Sequence, residues 1–282
     1  MHSFIGFLYR VWQRVKWLFP KRLRACLSKI ITISETDLMA SVAFRSGKPG
    51  TMFDVGANKG VTLLPYAKAG WQVHAFEPDP KMMAILTEET SCFPNVVRDN
   101  RAISNEIRSD VAFYSSDIST GISTLTPFHE SHKKTASVDI ITLEKYCNDK
   151  GISGIDVLKI DTEGYDLFVL KGLNWDSIKP RMILAEFEDR KTVSLKYTFQ
   201  NMADYLRERG YFILVSEWYP VVRYGGPHKW REIWVYPGQP RGSDLAHGNI
   251  IAVRDPVDFQ HLQNCSKSWY WRTKLRNLFY GL

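Results

Sequence analysis

A short strand that runs into an Asp-x-Gly-x-x-x-Gly turn constrains this sequence more than any other feature. Residues 51–55 are apolar around Asp54, Gly56 allows a tight turn, and Gly60 precedes a run with helical spacing of apolar residues. We therefore predict a strand, a ligand-binding turn and a helix that runs from Gly60 through Ala67. The chain should then be an α/β protein with its ligand at the carboxyl end of this strand.

The spacing of the glycines argues against a dinucleotide ligand. Dinucleotide-binding turns carry Gly-x-Gly-x-x-Gly, whose middle glycine admits a pyrophosphate. Here a carboxylate, that of Asp54, stands at the strand end, where it would repel a phosphate. A ligand that is cationic or rich in hydroxyl and amine donors fits better, and S-adenosylmethionine is such a ligand. For the motif alone, an ordinary strand-to-helix turn is the alternative.

The basic charge of the chain is concentrated at its two ends. Residues 1–34 hold seven Lys and Arg and residues 259–282 hold four, with no acid in either segment, whereas the whole chain of 282 residues has a net charge of +7. Residues 35–258 then carry 26 basic and 30 acidic residues, a net charge of −4. A nucleic-acid-binding domain has its basic surface on the folded body, so we expect no nucleic acid partner. The length favours a single domain over residues 35–258.

Both ends have the pattern of basic amphipathic helices. Apolar residues recur every three or four positions over residues 4–19, and Arg10 and Arg14 interrupt any run long enough to span a bilayer. Residues 268–282 interleave aromatics with Lys and Arg. Such segments bind membrane interfaces. The four cysteines form no Cys-x-x-Cys motif, so we predict a cytoplasmic protein that is peripheral on the inner face of the membrane. Packing on the body or on another subunit, and binding of single-stranded nucleic acid, are the alternatives for the ends.

Three later apolar strands also end on carboxylates. The side chains at these strand ends are Glu77, Asp161 with Glu163, and Glu186. Ligands of open α/β sheets bind outside the carboxyl ends of the strands. We therefore expect these carboxylates to meet Asp54 at one edge of the sheet, in a single site.

Two of the strand ends suggest contacts with a nucleoside. Glu77 lies 23 residues after Asp54, the separation at which a second-strand carboxylate meets a ribose. Asp99 or Asn100, at the end of a strand over residues 95–100, is predicted near the adenine. A long polar loop over residues 115–135 is predicted on the ligand side of the sheet.

Several motifs, in this order, resemble those of the FkbM-type class I S-adenosylmethionine-dependent methyltransferases. They are Asp54-Val55-Gly56-Ala57-Asn58-x-Gly60, Ala75-Phe76-Glu77-Pro78, Ile155-Asp156-x-Leu158-Lys159-Ile160-Asp161-x-Glu163-Gly164-x-Asp166, Leu170-Lys171-Gly172 and Ile183-Leu184-Ala185-Glu186. The similarity covers residues 50–254 and leaves out both basic ends. The family usually has Asp at position 144 and Glu at position 166, where this chain has Glu144 and Asp166; both departures are conservative.

The resemblance implies a Rossmann-like seven-stranded sheet of order 3-2-1-4-5-7-6, counted along the chain, with helices on both faces and the seventh strand antiparallel. It implies S-adenosylmethionine as cofactor. The cofactor residues that it implies are Asp54, Gly56, Asn58 and Gly60 near the methionine moiety, Glu77 on the ribose, and Asp99 or Asn100 near the adenine. Members of the family typically methylate hydroxyl groups, often on sugars or polyketides.

Methyl transfer to a hydroxyl needs help with proton removal, and two arrangements are open. In one, Asp161 with Glu186 or Glu188 holds a divalent cation such as Mg²⁺, which lowers the pKa of the hydroxyl. In the other, His228 or His247, on the connection before the last strand, is the base. Glu163 is a further candidate catalytic residue.

The resemblance thus implies an O-methyltransferase, and with the basic ends we expect it to act on a sugar hydroxyl of a glycolipid, a polysaccharide or a lipid-linked precursor. The alternatives are a noncatalytic S-adenosylmethionine-binding or membrane-associated interaction protein, and an RNA methyltransferase. The acidic body argues against the RNA enzyme, and the glycine pattern argues against a nicotinamide enzyme.

Overall fold

The computed structural model describes residues 34–221, 228–241 and 246–273. Its centre is a sheet of eight strands in the order β10-β9-β11-β8-β7-β1-β2-β3. These strands are β1 (Thr51–Val55), β2 (Gln72–Phe76), β3 (Val96–Asp99), β7 (Val157–Ile160), β8 (Met182–Glu188), β9 (Phe212–Trp218), β10 (Trp230–Val235) and β11 (His247–Val253).

Five neighbouring strands of this sheet, β3, β2, β1, β7 and β8, are parallel to one another. Strand β11 runs antiparallel to both β8 and β9. The predicted number of seven strands is wrong, because β10 adds an antiparallel edge strand to β9. Trp230 and Ile233 of β10 are buried, so burial of its apolar face on the body accounts for the additional strand.

Three further strands form a second sheet, of order β4-β6-β5. They are β4 (Ala102–Ile103), β5 (Arg108–Ser116) and β6 (His132–Ile141). The predicted loop over residues 115–135 is therefore shorter, because the β5–β6 hairpin pairs up to Ser116 and His132. The polar connection that remains lies over the carboxyl ends of β1 and β7.

Helices cover both faces of the large sheet. They are α1 (Glu35–Ala43), α2 (Leu64–Lys68), α3 (Pro80–Glu89), α4 (Leu143–Lys150), α5 (Asp166–Lys171), α6 (Asp189–Thr192), α7 (Phe199–Arg207) and α8 (Pro256–Ser266). Alternate residues of each strand enter two separate cores, so that Phe53 packs with α4, α5 and α7 while Met52 packs with α1, α2, α3 and α8. The sheet is thus buried on both sides, which is typical of doubly wound α/β folds.

The helix after the Asp-Gly turn begins later than predicted. Residues 57–63 form turns, and the helix begins at Leu64, whose N–H donates to Gly60 O at 3.2 Å. Proline has no N–H and clashes inside a helix, so Pro65 fits only in the first helical turn. The turn at the end of β1 is consequently longer and leaves more backbone at the edge of the sheet.

Helices α1 and α8 connect the two ends of the chain to the body. Leu262 and Trp269 are buried, and the ring of Trp269 contacts that of Trp230 with centroids 5.8 Å apart. Trp271, in contrast, is 69% exposed. The predicted amphipathic segment before residue 34 lies outside the described residues, as do residues 274–282. Within the described ranges, no helix has the length and apolar character that crossing a membrane requires.

Candidate active site

A cavity of about 650 Å³ opens at the carboxyl ends of β1, β2 and β7, in the place where open α/β sheets bind ligands; we call it the donor cavity. Sequence-predicted site residues that line it are Gly56, Asn58, Glu77, Asp161 and Glu163. Arg101, Thr162 and Tyr165, which were not predicted, line it as well. The turn after β1 and the turn after β7 thus face one another across this space.

The approach of these two turns depends on Gly56. Its φ is 77°, and a Cβ built at this position would lie 1.9 Å from the carbonyl oxygen of Asp161. The N–H groups of Gly56 and Ala57 both donate to Phe76 O at 3.0 Å. Any side chain here would therefore separate β1 from β7 and widen the floor of the cavity.

Asp54 lies beneath this floor, away from the lining residues of the cavity. It is fully buried, and its Oδ1 is 3.1 Å from Nζ of Lys159, which is adjacent on β7 in the parallel register. Burial raises the pKa of Asp54, against the effect of Lys159. Lys159 also donates to Gly56 O at 2.6 Å. In this structure Asp54 therefore acts on the turn through Lys159, and its predicted contact with the cofactor stays a prediction.

Glu77 is held by two backbone donors. Its Oε2 accepts from the N–H of Asn58 at 2.7 Å, and its Oε1 accepts from the N–H of Asp79 at 2.8 Å. Burial raises the pKa of Glu77 to about 7. Because each carboxylate oxygen can accept more than one hydrogen bond, the group fixes the β1 turn and still has acceptor capacity for a diol in the cavity.

The other predicted cofactor residues do not line the donor cavity. Asp99 forms an ion pair with Arg101 at 2.6 Å, and Arg101 rather than Asp99 or Asn100 reaches the lining. Gly60 packs against α3, where an added Cβ would lie 2.7 Å from Leu86. Gly60 is therefore needed for close packing of the turn on α3.

The structure brings Asp161, Glu163 and Glu186 together. One carboxylate oxygen from each lies within 4.8 Å of the others. Glu163 has a φ of 56°, a left-handed conformation that turns its side chain towards the end of β8. Burial raises the pKa of both Glu163 and Glu186, whereas the nearby ammonium of Lys191 opposes the rise. No sequence pattern pointed to Lys191.

A second cavity, of about 830 Å³, adjoins the donor cavity; we call it the acceptor cavity. Glu163 and Gly121 line both cavities. Glu186, Glu188, Trp218, His228, His247 and Asn249 line only the acceptor cavity. It therefore combines an indole ring with many hydrogen-bonding groups, and one carboxylate borders both spaces.

The two predicted histidines lie next to one another on the wall of the acceptor cavity. Their ring centroids are 5.7 Å apart. Burial lowers the pKa of His247 to about 4. His247 Nδ1 is buried without a hydrogen-bond partner among the described residues. Since a group with so low a pKa binds protons weakly near neutral pH, His247 is better suited to accept a hydrogen bond than to remove a proton.

The polar connection between β5 and β6 covers the donor cavity. Asn58 Nδ2 donates to Thr120 O at 3.1 Å, and Thr124 Oγ1 donates to Glu163 O at 3.3 Å. Farther out, the hydroxyls of Ser115 and Ser123 donate to Asp79 Oδ2 at 2.7 and 3.2 Å. The connection therefore forms one wall of the cavity, to which Thr120, Gly121, Ser123 and Thr124 contribute.

Fold and site together define a doubly wound α/β protein with paired cavities at the carboxyl ends of its strands. The FkbM methyltransferase domain matches residues 54–213. The chain belongs to this family, as the motifs predicted, and membership implies S-adenosylmethionine as the methyl donor. No curated protein matches the sequence.

Solved structures of methyltransferases resemble the chain at low identity. A precorrin-6Y C5,15-methyltransferase from Geobacter metallireducens is 11% identical over 77% of this chain and 86% of that chain, with a TM-score of 0.40. An rRNA methylase from Streptococcus thermophilus is 10% identical over 78% and 93%, with a TM-score of 0.41. An S-adenosylmethionine-dependent O-methyltransferase from Thermotoga maritima is 13% identical over 79% and 66%, with a TM-score of 0.36. The assignment to a family rests on the domain match and not on these likenesses.

Proposed function

We propose that this protein transfers a methyl group from S-adenosylmethionine to a hydroxyl group of a sugar, carried by a glycolipid, a polysaccharide or a lipid-linked precursor. The observation that carries the proposal is the position of Glu163, whose side chain borders both the donor cavity and the acceptor cavity. Methyl transfer requires two ligands to meet end to end. The carboxylate of Glu163 lies at the junction of the two cavities, where it can accept a proton as the two ligands meet.

The acidic lining supports a cationic methyl donor. S-adenosylmethionine supplies an electrophilic methyl group on a sulfonium. Asp161 presents a carboxylate, 45% exposed, to the donor cavity, and Glu163 presents a second. The single arginine among the described residues that line the cavity, Arg101, is paired with Asp99. This arrangement favours a cation over a pyrophosphate.

Glu163 is the best-placed proton acceptor among the candidates. Its raised pKa, caused by burial, brings proton binding closer to neutral pH, whereas burial moves the pKa of His247 in the opposite direction. A base works best when its pKa is near the working pH. We therefore assign proton removal to Glu163, and alignment of the acceptor hydroxyl to Asp161 and His247.

The composition of the acceptor cavity supports a hydroxylated ring as acceptor. Trp218 offers an aromatic surface, and its indole N–H is directed to Glu35 Oε1 at 2.7 Å. Glu186, Glu188 and Asn249 offer acceptors and an amide. Apolar ring faces and many hydroxyls are the features of a sugar that such a wall can bind.

A labelled-methyl transfer assay tests the proposed function. The wild-type protein is incubated with S-adenosyl-[methyl-³H]methionine and, separately, with membrane glycolipids, nucleotide sugars and RNA. We expect alkali-stable label in a glycan fraction, with Asp161→Asn inactive and the exposed Asp176→Asn fully active. Label in RNA alone, or equal rates for Asp161→Asn and wild type, would contradict the proposal.

We also propose that the basic ends hold the enzyme on an anionic membrane surface, where a glycolipid acceptor is available. Residues 256–269 pack on the sheet, so removing the C-terminal segment would disturb the body. Replacing Arg272, Lys274 and Arg276 with Gln in the full chain removes charge without removing that packing. Flotation with phosphatidylglycerol vesicles should decrease several-fold; unchanged flotation would refute the role of the C-terminal charges.

A further inference from the structure

Three glutamates surround one lysine ammonium at the carboxyl end of β8. Nζ of Lys191 lies 2.5 Å from Glu163 Oε2, 2.7 Å from Glu188 Oε2 and 3.2 Å from Glu186 Oε2. The Lys191 side chain is only 3% exposed. A charge this deeply buried is tolerated only when it is paired, so Lys191 and the three carboxylates depend on one another.

The remaining carboxylate of the cluster has a different ammonium. Asp161 Oδ2 is 3.5 Å from Nζ of Lys159, which also contacts Asp54 at 3.1 Å. Asp161 thus has Lys159 within ion-pair distance, and Glu163, Glu186 and Glu188 have Lys191. The chain supplies its own positive charge to a site for which the sequence left a divalent metal as one of two possibilities.

A divalent ion does not fit this cluster while Lys191 is charged. Mg²⁺ needs oxygen ligands at about 2.0–2.1 Å in octahedral geometry. The three oxygens of Asp161, Glu163 and Glu186 converge within 4.8 Å, but Lys191 already contacts the last two. An ion among these oxygens would lie a few ångströms from the ammonium of Lys191, which is itself almost fully buried, so water could screen the repulsion mainly from the exposed side of Asp161.

We propose that the ammonium of Lys191 is the resident cation of this acidic cluster and takes the place that a divalent metal would occupy. Lys191 is accordingly a positioning residue, which holds the carboxylate of Glu163 at the junction of the two cavities. The positioning role rests on the proposed function. The occupancy of the cation position does not, and can be measured without any methyl transfer.

The test uses Mn²⁺ as probe, measured by electron paramagnetic resonance on the full chain. Lys191→Met removes the charge and keeps an unbranched side chain, and Arg190→Met removes the same charge from the exposed neighbouring residue. We expect wild type and Arg190→Met to bind Mn²⁺ with a Kd above about 1 mM, and Lys191→Met to bind at least about tenfold more tightly. Adding Glu186→Gln to Lys191→Met should abolish that gain.

Three outcomes would overturn the proposal. One is a wild-type protein that binds Mn²⁺ as tightly as Lys191→Met does; another is wild-type binding that Glu186→Gln removes. The third is a folded Lys191→Met protein that gains no Mn²⁺ binding. If Lys191→Met fails to fold, the wild-type and Glu186→Gln measurements decide. Submillimolar Mn²⁺ binding to wild type that Glu186→Gln removes refutes the proposal, and a wild type without submillimolar Mn²⁺ binding supports it.

Kinetics separate the positioning role from a merely structural one. Lys191→Met should lower kcat with little change in the affinity for S-adenosylmethionine, and added Mn²⁺ should restore part of the rate while leaving wild type unaffected. A lowered rate that Mn²⁺ does not change would refute the positioning role. If wild type transfers no methyl group to any acceptor, the proposed function fails, and the Mn²⁺ binding result stands independently.

Discussion

We infer that the chemistry of the site depends on Glu163. It borders both cavities, and its Oε2 is 2.5 Å from Lys191. Glu163→Gln keeps the shape of the side chain and removes its ability to take a proton. We predict that kcat falls at least about 100-fold, whereas calorimetry should show a Kd for S-adenosylmethionine within about threefold of wild type.

The matched control for this variant is Glu208→Gln, an exposed substitution after α7, which should keep the wild-type rate. A Glu163→Gln enzyme that works at the normal rate would show that another group removes the proton. In that case Asp161 would be the next candidate for the proton acceptor, because its side chain is the most exposed among those of the acids at the junction.

His74 allows a prediction about stability and pH. Its Nδ1 is 2.8 Å from Tyr146 OH, and burial lowers its pKa from 6.5 to about 4. The unfolded chain therefore binds a proton at a higher pH than the folded one. The stability that neutral His74 contributes is complete above pH 6.5 and decreases by up to about 3 kcal/mol as the pH falls to about 4.

Urea unfolding of wild type and His74→Gln at pH 7.5 and pH 4.5 measures this effect. Glutamine cannot titrate, and His247 with its similar shift is present in both proteins, so the difference between the two proteins isolates His74. We predict that the stability advantage of wild type shrinks at the lower pH. An advantage that stays constant or grows would refute the assignment of a buried neutral imidazole.

At the scale of single residues, the acids were more predictable from sequence than the lysines. Asp161, Glu163 and Glu186 follow apolar strands, and parallel strands bring such positions to one edge. Lys159 had a signal, since a lysine inside a buried strand needs a partner and Asp54 is level with it in the register. Lys191 had none, because a lysine in a short helix after a strand is ordinarily exposed.

At the scale of elements, helix α1 connects the amino-terminal part of the chain to the acceptor cavity. Glu35, in its first turn, accepts from Ser216 Oγ at 2.6 Å and from Trp218 Nε1 at 2.7 Å. Trp218 lines the acceptor cavity. Both Glu35 and Trp218 lie outside the matched domain of residues 54–213, so this wall is a feature of the chain that the family match does not cover.

We predict that Glu35→Ala weakens acceptor binding without weakening donor binding, because the indole loses the carboxylate that orients it. The KM for the acceptor should rise about tenfold, with the Kd for S-adenosylmethionine unchanged. The control is Asp37→Ala, which removes an exposed acid from the same helical turn. Equal effects of the two substitutions would point to a general loss of α1 and would contradict the specific role of Glu35.

Among the elements, strand type was easier to predict than strand number or exact limits. The strands that were easiest to predict are largely apolar and are buried on both faces of the sheet; they are β1, β2, β7 and β8. Such apolar runs identify strands. β10 was not foreseen, since its alternation is interrupted at a register shift between Trp230 and Glu232. Helix α2 begins late because Pro65 fits only in the first helical turn. The prediction from apolar periodicity did not take this local rule into account.

For the whole molecule, the sequence indicated the domain and its class but not how the cavities are assembled. The donor cavity lies where the topology of parallel strands requires. The acceptor cavity depends on contacts between α6, β9, β11 and the β5–β6 connection, which are far apart in sequence. Such contacts come from tertiary packing, which a single sequence does not specify locally.

The central claim is that the donor cavity binds S-adenosylmethionine and that Glu77 is part of its recognition. Isothermal titration calorimetry of the full chain with S-adenosylmethionine, S-adenosylhomocysteine and NAD tests it most directly, with Glu77→Gln compared with the exposed Glu89→Gln on α3. We predict micromolar binding of both S-adenosyl ligands, no binding of NAD, and a loss of at least about tenfold in affinity for Glu77→Gln alone. Wild-type protein that binds NAD but neither S-adenosyl compound, or Glu77→Gln that binds as wild type does, would contradict the account.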